Sequence, residues 1–487
     1  MTSSAVDLRA HPVGSNLRFR PDLASLDRLC QRLFAPVDIA VLVYFRLVFG
    51  AVMLWEVWRF ATYGWITADF IDPTYHFTYY GLGWIKPLPG VGMDVVFLLM
   101  AVAAIGVMLG LWYRVAASIL FAAYTYVFLL DEAVYNNHYY LVALLALLTA
   151  VIPTHHALSL DARRKPALHS DTAPAWTLWS LRTMIAIPYV FGGLAKLKGD
   201  WLHGQPMRLW LAQKTDVPLV GRFFTEKWAP YAFSYAGLLL DLFIVPALLW
   251  RRSRPFAVAV IVLFHVTNAQ LFPIGIFPWL MITAAALFFA PSWPRLGGLW
   301  HPATLPPAQK QGRRKRGTPA TALVPSGLST RQRLTVTLLT VFFGVQILLP
   351  LRHFLLPGNV IWTEEGMRFA WHMRLRAKWG DGTTFFVTDP TSGENWTVDP
   401  AEELAPFQAD ELAIEPGMIL QYAHHLADRW RADGHPEVEV RVEAYASLNG
   451  RASQLLVDPT VDLAAQPRTL LHQPWVMPLT ESLPPAS

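Results

Sequence analysis

Long apolar blocks dominate this sequence and constrain its fold more than any other feature. A bilayer core about 30 Å thick offers no water to backbone polar groups, so such blocks cross it as helices. Charged residues are 15% of the 487 residues, against about 25% in soluble proteins. The sequence predicts a mostly α polytopic membrane protein with nine spans, at 38–60, 90–111, 114–130, 138–152, 176–195, 230–250, 255–272, 276–291 and 333–351.

The distribution of basic residues predicts the orientation of these spans. Basic residues precede the first span and recur in alternate loops, as in "DARRKP", "RRSR" and "KQGRRKRG", and such loops stay in the cytoplasm. One predicted external loop, 196–229, is also basic, which suggests another role for its lysines. We expect a cytoplasmic segment 1–37, a transmembrane catalytic bundle 38–291, a disordered cytoplasmic linker 292–332, a last span 333–351 and an extracytoplasmic domain 352–487.

The region after residue 352 has the composition of a small α+β domain rich in β-strands. Alternating apolar and β-branched residues predict strands at "TTFFVTD", "ENWTVD", "EVEVRVEAYASL" and "SQLLVD". A helix is predicted near 416–433, where the turn residues "DG" end it.

Several classes of site are excluded by motif content. Cys30 is the only cysteine, so no intramolecular disulfide and no CxxC pair can form. The fifteen histidines make no HxxxH or HxxHH array, so we expect no metal. The sequence has no glycine-rich phosphate loop and no GxSxG motif. Contact with membrane lipid is expected, and no basic, aromatic-interleaved surface indicates nucleic acid.

Polar residues cluster where four spans end on the predicted external side. Such groups are costly at membrane depth and are functional candidates. Simpler interpretations exist: a lysine reaching the membrane interface, a histidine or asparagine bonding between helices, or paired glycines allowing helix packing. Asp131 and Glu132 are expected in a solvated loop. Because the clusters share one face, a common cavity is favoured; they contain Asn136, Asn137 and His138, then Lys196 and Lys198, then His265, Asn268 and Gln270, and finally His353.

Around these residues the sequence resembles the vitamin K-dependent γ-glutamyl carboxylases. The matching motifs, in order, are "YRVAASILFAAYTYVFLLDEAVYNNHYYL", "GGLAKLKGDWLHGQPM", "AGLLLDL", "FHVTNAQLFPIGIFPW" and "RHFLLPGNVIWTEEGMRFAWHMRLRAK". The resemblance implies a membrane enzyme that oxidises reduced vitamin K, as phylloquinone or menaquinone hydroquinone, with O2 to the 2,3-epoxide. The strong base formed would deprotonate glutamate side chains of a peptide or protein, which then add CO2. It also implies a separate quinone reductase and, in bacteria, a site facing outward from the cell membrane.

The resemblance implies a role for each matching residue. Lys196, followed by Leu197 and then by Asp200 and Trp201, matches the base that deprotonates the hydroquinone. His138 would stabilise the charge that develops on the oxygenated quinone. Asp200 is expected to pair with Lys198 or to fix the loop. The quinone-binding residues would be Asn137, His265, Asn268, Phe277 and His353, and the glutamate-contacting residues would be Trp371, Arg374 and Arg376.

Three departures from the family keep alternatives open. Animal members are longer and bind a propeptide, they contain an inter-region disulfide, and they place an arginine where this chain has "MRLWLAQKTD". Oxidation of the hydroquinone could therefore persist without glutamate carboxylation. A different class is a non-catalytic membrane protein that binds a quinone or a lipid.

Overall fold

The computed structural model describes residues 30–297 and 328–484. The predicted linker and the N-terminal segment lie largely outside these ranges. The main helices are α1 Ala40–Thr62, α2 Gly92–Leu109, α3 Tyr113–Phe128, α4 Asn137–Val151, α5 Ala175–Ala195, α6 Ala229–Leu249, α7 Arg254–Leu271, α8 Phe277–Ala285 and α9 Thr330–Leu351. Short helices lie between them, at Trp65–Phe70, Leu160–Arg164, Gly199–Leu202, Met207–Ala212 and Val360–Thr363.

Membrane-spanning length separates these helices into two groups. Within the described ranges, six helices are long and apolar enough to cross a membrane: α1, α2, α5, α6, α7 and α9. The other three predicted spans are helical but shorter, with 16 residues in α3, 15 in α4 and 9 in α8. At 1.5 Å per residue, 16 residues cover about 24 Å, less than a core of about 30 Å. Nine full spans are therefore not confirmed.

Two glycines allow α5 and α6 to approach closely near the end of α5. A Cβ atom at Gly193 would lie 2.9 Å from Leu242 Cδ2 and 3.1 Å from its backbone nitrogen. A Cβ atom at Gly192 would lie 3.2 Å from Asp241 Oδ2. Such contacts leave no room for a larger side chain. The helix-packing interpretation of this glycine pair is confirmed, and it brings the end of α5 against α6.

The C-terminal region forms the predicted sheet. After the short pair β1 Pro36–Asp38 and β2 Thr172–Pro174, the strands are β3 Lys378–Thr388, β4 Asn395–Val398, β5 Glu439–Leu448 and β6 Gln454–Leu455. They pair antiparallel in the order β4-β3-β5-β6. Helices α10 Pro406–Leu412 and α11 Pro416–Ala432 complete the domain, and Tyr422 of α11 packs on Phe385 of β3. The four predicted strands and the helix are confirmed.

Asp131 and Glu132 join this domain to the helical bundle. Asp131 is fully buried and accepts a 2.7 Å hydrogen bond from Gln408 Nε2. Glu132 accepts a 3.0 Å bond from Gln421 Nε2 and pairs with Arg368. The expectation of a solvated loop is wrong. Buried carboxylates need donors, and three of the donors here, Gln408, Gln421 and Arg368, come from the part of the chain that follows α9.

Candidate active site

Lys196 follows the last residue of α5, and its side chain is buried in an ion pair. Its Nζ lies 2.6 Å from Asp241 Oδ2, 3.4 Å from the Gly192 carbonyl oxygen and 5.2 Å from the centre of the Trp201 ring. The two charged side chains are 6% and 5% exposed. A lysine reaching the membrane interface would be hydrated, so that simpler interpretation is wrong. The sequence analysis missed Asp241, although a lone carboxylate in an apolar block is itself a functional indicator.

Asp200, four residues after Lys196, is held by the C-terminal domain. Arg451 donates to both of its carboxylate oxygens, at 2.7 and 2.8 Å, and Asn449 Nδ2 donates at 2.8 Å. Burial acts to raise the pKa of Asp200, but these hydrogen bonds outweigh it and the pKa lies below its usual value. The expected pairing with Lys198 is wrong, and the alternative that Asp200 fixes the loop is confirmed.

Lys198 has a different environment from Lys196. Its side chain is half-buried, and no carboxylate within the described ranges forms an ion pair with it. Burial lowers its pKa. Its charge acts on His372 and His353, whose ring centres lie 4.7 Å apart. Burial and then the charge of Lys198 lower the pKa of His372 to about 2, so this imidazole is neutral at physiological pH. The sequence analysis did not single out His372.

Two of the predicted quinone-binding residues, Phe277 and His265, form one aromatic group with His138, which was predicted to be catalytic. Phe277 of α8 lies with its ring centre 5.7 Å from the ring centres of both His138 and His265. The Tyr189 hydroxyl of α5 lies 2.9 Å from His265 Nε2, so His265 does bond between helices. His265 is 1% exposed, and its Nδ1 has no hydrogen-bond partner in the described part of the chain. Asn268 lies about one turn further along α7, with a half-buried side chain.

This aromatic group fits the chemistry of a hydroquinone. A hydroquinone, the ligand that the resemblance implies, is a flat apolar ring with two hydroxyl groups, so a site for it needs ring contacts and a few hydrogen-bonding atoms. Phe277 offers the ring contact, and the unpartnered Nδ1 of His265 offers a hydrogen-bonding atom. Tyr189 lies on the same helix that ends beside Lys196.

The segment that follows the last span touches both the start of α4 and the end of α5. Asn137 Nδ2 lies 3.4 Å from the His372 carbonyl oxygen. The Met373 Cε atom lies 3.3 Å from the Cβ position of Gly192, which is itself 3.7 Å from Lys196 Nζ. The segment therefore connects the surroundings of Lys196 with the surroundings of His138. His353 precedes it, and its Nδ1 bonds the Pro350 carbonyl at 2.8 Å.

The three predicted glutamate-contacting residues differ in their partners. Trp371 is 1% exposed and stacks on Tyr140 with ring centres 5.1 Å apart, so it anchors the segment in the bundle. Arg376 pairs with Glu364 and Glu411 at 2.5 and 3.1 Å. Arg374 is exposed and lies over the rings of two aromatic residues, Phe272 at 4.4 Å and Trp210 at 5.7 Å. Within the described residues no carboxylate pairs with Arg374.

Comparison with protein-family models matches the HTTM domain over residues 34–293, more than half of the chain. The lumenal domain of vitamin K-dependent gamma-carboxylase matches residues 331–482. The chain belongs to the vitamin K-dependent gamma-carboxylase family. In this carboxylase-family protein, Lys196 and His138 lie in the first match, and the segment with Arg374 lies in the second. No solved structure matches the chain.

Proposed function

We propose that this protein is a vitamin K-dependent γ-carboxylase with Lys196 as the base that starts the reaction. Overall, reduced vitamin K, O2, CO2 and a glutamate residue would give the 2,3-epoxide, water and γ-carboxyglutamate. The observation that carries the proposal is the buried pair of Lys196 and Asp241 beside Met373. Lys196 directly follows α5, the helix that presents Tyr189 to His265, and Asp241 lies on α6. Burying two charges in an apolar bundle costs desolvation free energy, so a pair at such a position is a functional candidate.

Lys196 would take the hydroxyl proton of the hydroquinone at Nζ. The neutral amine must accept that proton, and the ammonium formed is stabilised by Asp241 Oδ2 at 2.6 Å and by the Trp201 ring. Asp241 is therefore a positioning and charge-stabilising residue. Because the amine is buried, this step takes place without solvent contact, and water is kept away from the reacting oxygen.

His138, His265 and Phe277 would hold the quinone ring, with Asn137, Asn268 and His353 completing the pocket. Donors aimed at the place where negative charge develops are the usual device for stabilising it, and His138 has this role in the proposal. Arg374 would bind the carboxylate of the substrate glutamate, because Arg376 already has two carboxylate partners. Trp371 anchors this segment to the helical bundle by stacking on Tyr140.

We further propose a multi-pass protein of a bacterial cell membrane, with a cytoplasmic N-terminus and the lumenal-type domain outside. The alternating basic loops support this orientation. The glutamate-containing peptide or protein would then be met on the external side. A separate reductase would return the quinone to its reduced form.

A second candidate function is epoxidation of vitamin K without carboxylation of glutamate. One observation favours it: two of the three predicted glutamate-contacting residues, Trp371 and Arg376, are already engaged within the protein. Glutamate binding would then depend on one residue, Arg374, whereas quinone oxidation would not depend on it.

The test follows the two products separately. Detergent-purified protein is incubated with reduced vitamin K, labelled bicarbonate and a glutamate-containing peptide, and epoxide and incorporated label are both measured. We expect both products. Epoxide without label would establish the second candidate, and neither product would leave a non-catalytic quinone- or lipid-binding protein.

Variants of the two lysines identify the base. Lys196→Ala should lose both products by about 10²–10⁴-fold, the usual effect of removing a general base. A small exogenous amine should partly restore it, and more so at higher pH where more of the amine is neutral. Lys198→Ala is the matched control, two residues away and without a carboxylate partner among the described residues, and should keep most activity. An inactive Lys198→Ala beside an active Lys196→Ala would reverse the assignment.

A further inference from the structure

A separate cavity of about 340 Å³ lies behind α4, between the bundle and the C-terminal domain. Neither Lys196 nor His138 lines it. Eight of the eighteen residues that line it are aromatic, among them Phe60, Trp65, Phe97 and Phe128. Four carboxylates also line it: Glu56, Asp69, Asp410 and Glu411.

Two deeply buried polar atoms of this cavity lack hydrogen-bond partners within the described residues. Glu56 is 1% exposed, and its Oε1 accepts no hydrogen bond within the described ranges, while Oε2 accepts one from Arg59 at 2.6 Å. Tyr124 is 6% exposed, and its hydroxyl is likewise unpartnered there. Buried polar atoms are nearly always satisfied, and leaving one unsatisfied costs free energy. A ligand with hydrogen-bond donors would satisfy the Glu56 oxygen.

The charges of the residues that line the cavity favour a positively charged ligand. Among the residues that the structure describes, no lysine or arginine lines the cavity. Glu411 is paired with Arg376, but neither Asp69 nor Asp410 has an ion-pair partner in the described part of the chain. An anion would meet uncompensated negative charge. A guanidinium or ammonium group would meet carboxylates and aromatic faces, the two surfaces that bind such cations.

The position of the cavity relates it to the candidate active site. Asn136 and Tyr139, at the start of α4, line the cavity. Their neighbours Asn137 and His138 contact His372 and Phe277 instead. A helix with its side chains is about 10 Å across, and an extended peptide covers about 3.3 Å per residue. A peptide that crosses the start of α4 would therefore need about three residues to connect the cavity with the surroundings of His138.

We propose that this cavity binds the side chain of an arginine or lysine in the substrate peptide, three or four positions away from the glutamate. The glutamate part rests on the proposed function, whereas the cation part rests on the cavity alone. The protein would then recognise its substrate by a short motif, a glutamate with an arginine or lysine three or four positions away. In such a substrate the cationic side chain would supply binding free energy, and the glutamate would supply the reacting group.

Direct binding tests the proposal without any turnover. Fluorescence anisotropy compares a labelled peptide Glu-Ala-Ala-Arg with one in which citrulline, a neutral isostere, replaces arginine. The arginine peptide should bind at least about tenfold more tightly, as expected when a charged hydrogen-bonding pair is lost. The double variant Asp69→Asn with Asp410→Asn should abolish that preference and leave citrulline-peptide binding unchanged. Asp381→Asn, an exposed carboxylate on β3, is the control and should keep the preference.

The outcomes separate this inference from the proposed function. Equal binding of the two peptides overturns the inference, even if the peptide is carboxylated. Arginine-dependent binding without carboxylation supports the cation site and refutes the proposed function instead. If free arginine amide competes as strongly as the whole peptide, the cavity binds small cations and the peptide part is overturned. Thermal unfolding of both variants checks that they are folded.

Discussion

Replacing Asp241 by asparagine should slow vitamin K oxidation. The substitution keeps the size of the side chain and a hydrogen-bond acceptor, but removes the charge 2.6 Å from Lys196 Nζ. Two unit charges at that distance interact by about 6 kcal/mol at an effective dielectric constant of 20. The asparagine dipole and local relaxation retain part of this, so we take about half, or about 3 kcal/mol, as the loss.

The sign of the effect follows from the role of the base. Proton transfer to Lys196 Nζ forms an ammonium group, and the Asp241 carboxylate is the negative charge that stabilises it. Without the carboxylate the charged product of this step loses about 3 kcal/mol, and a transition state in which about half of that charge has developed loses about 1.5 kcal/mol. At 1.36 kcal/mol per tenfold change in rate, epoxide formation should slow by about tenfold.

The assay is the initial rate of epoxide formation by detergent-purified protein at one fixed pH, analysed by chromatography. Asp241→Glu is the matched control, since it keeps the charge and should keep most of the rate. Thermal unfolding of each variant separates a folding defect from a catalytic one. An Asp241→Asn variant that is folded and oxidises vitamin K at a normal rate would show that this pair does not contain the base.

Three further outcomes follow from the contacts around the site. Arg374→Ala should raise the KM for the glutamate peptide about tenfold or more while peptide-independent epoxidation continues; an unchanged KM would remove Arg374 from the substrate site. Arg451→Ala should lower the free energy of unfolding by about 1–3 kcal/mol because Asp200 loses both hydrogen bonds from Arg451 and keeps only the one from Asn449. Arg431→Ala, which breaks an exposed pair with Asp428, is the nearly neutral comparison in a thermal unfolding series. The orientation is tested in a background with Cys30 replaced by serine. An impermeant thiol reagent added to intact cells should label Ser392→Cys and leave Arg252→Cys unlabelled. The reverse pattern would contradict the orientation.

Local sequence pattern predicted the elements well and the contacts between distant elements poorly. The strands around Phe385 and Val442 were predictable, because alternation along a strand is a local property. The residues around Lys196 and His138 were found as motifs. Asp241 was missed, although its isolation within an apolar block was visible. Three of the nine predicted spans proved shorter, since apolar composition alone does not fix where a helix ends.

Contacts across long separations could not be read from the chain. Asp131 looks like a loop residue until Gln408, 277 positions later, is seen to cover it. The same holds for Asp200, whose partner Arg451 is 251 positions away. Such pairs depend on how the C-terminal domain sits on the bundle, and no local period encodes that placement.

The grip of Asn449 and Arg451 on Asp200 has a consequence for biosynthesis. Translation runs from the N-terminus, so the loop after Lys196 is made 249 residues before Asn449 exists. The inserted helices therefore wait, with this loop unclamped, until the domain that follows α9 has been made and has folded. Maturation has a built-in order, in which the membrane bundle comes first and the loop beside Lys196 is fixed last. A nascent chain arrested before β5 would have its apolar bundle and its lysine, but not the clamp that completes this side of the site.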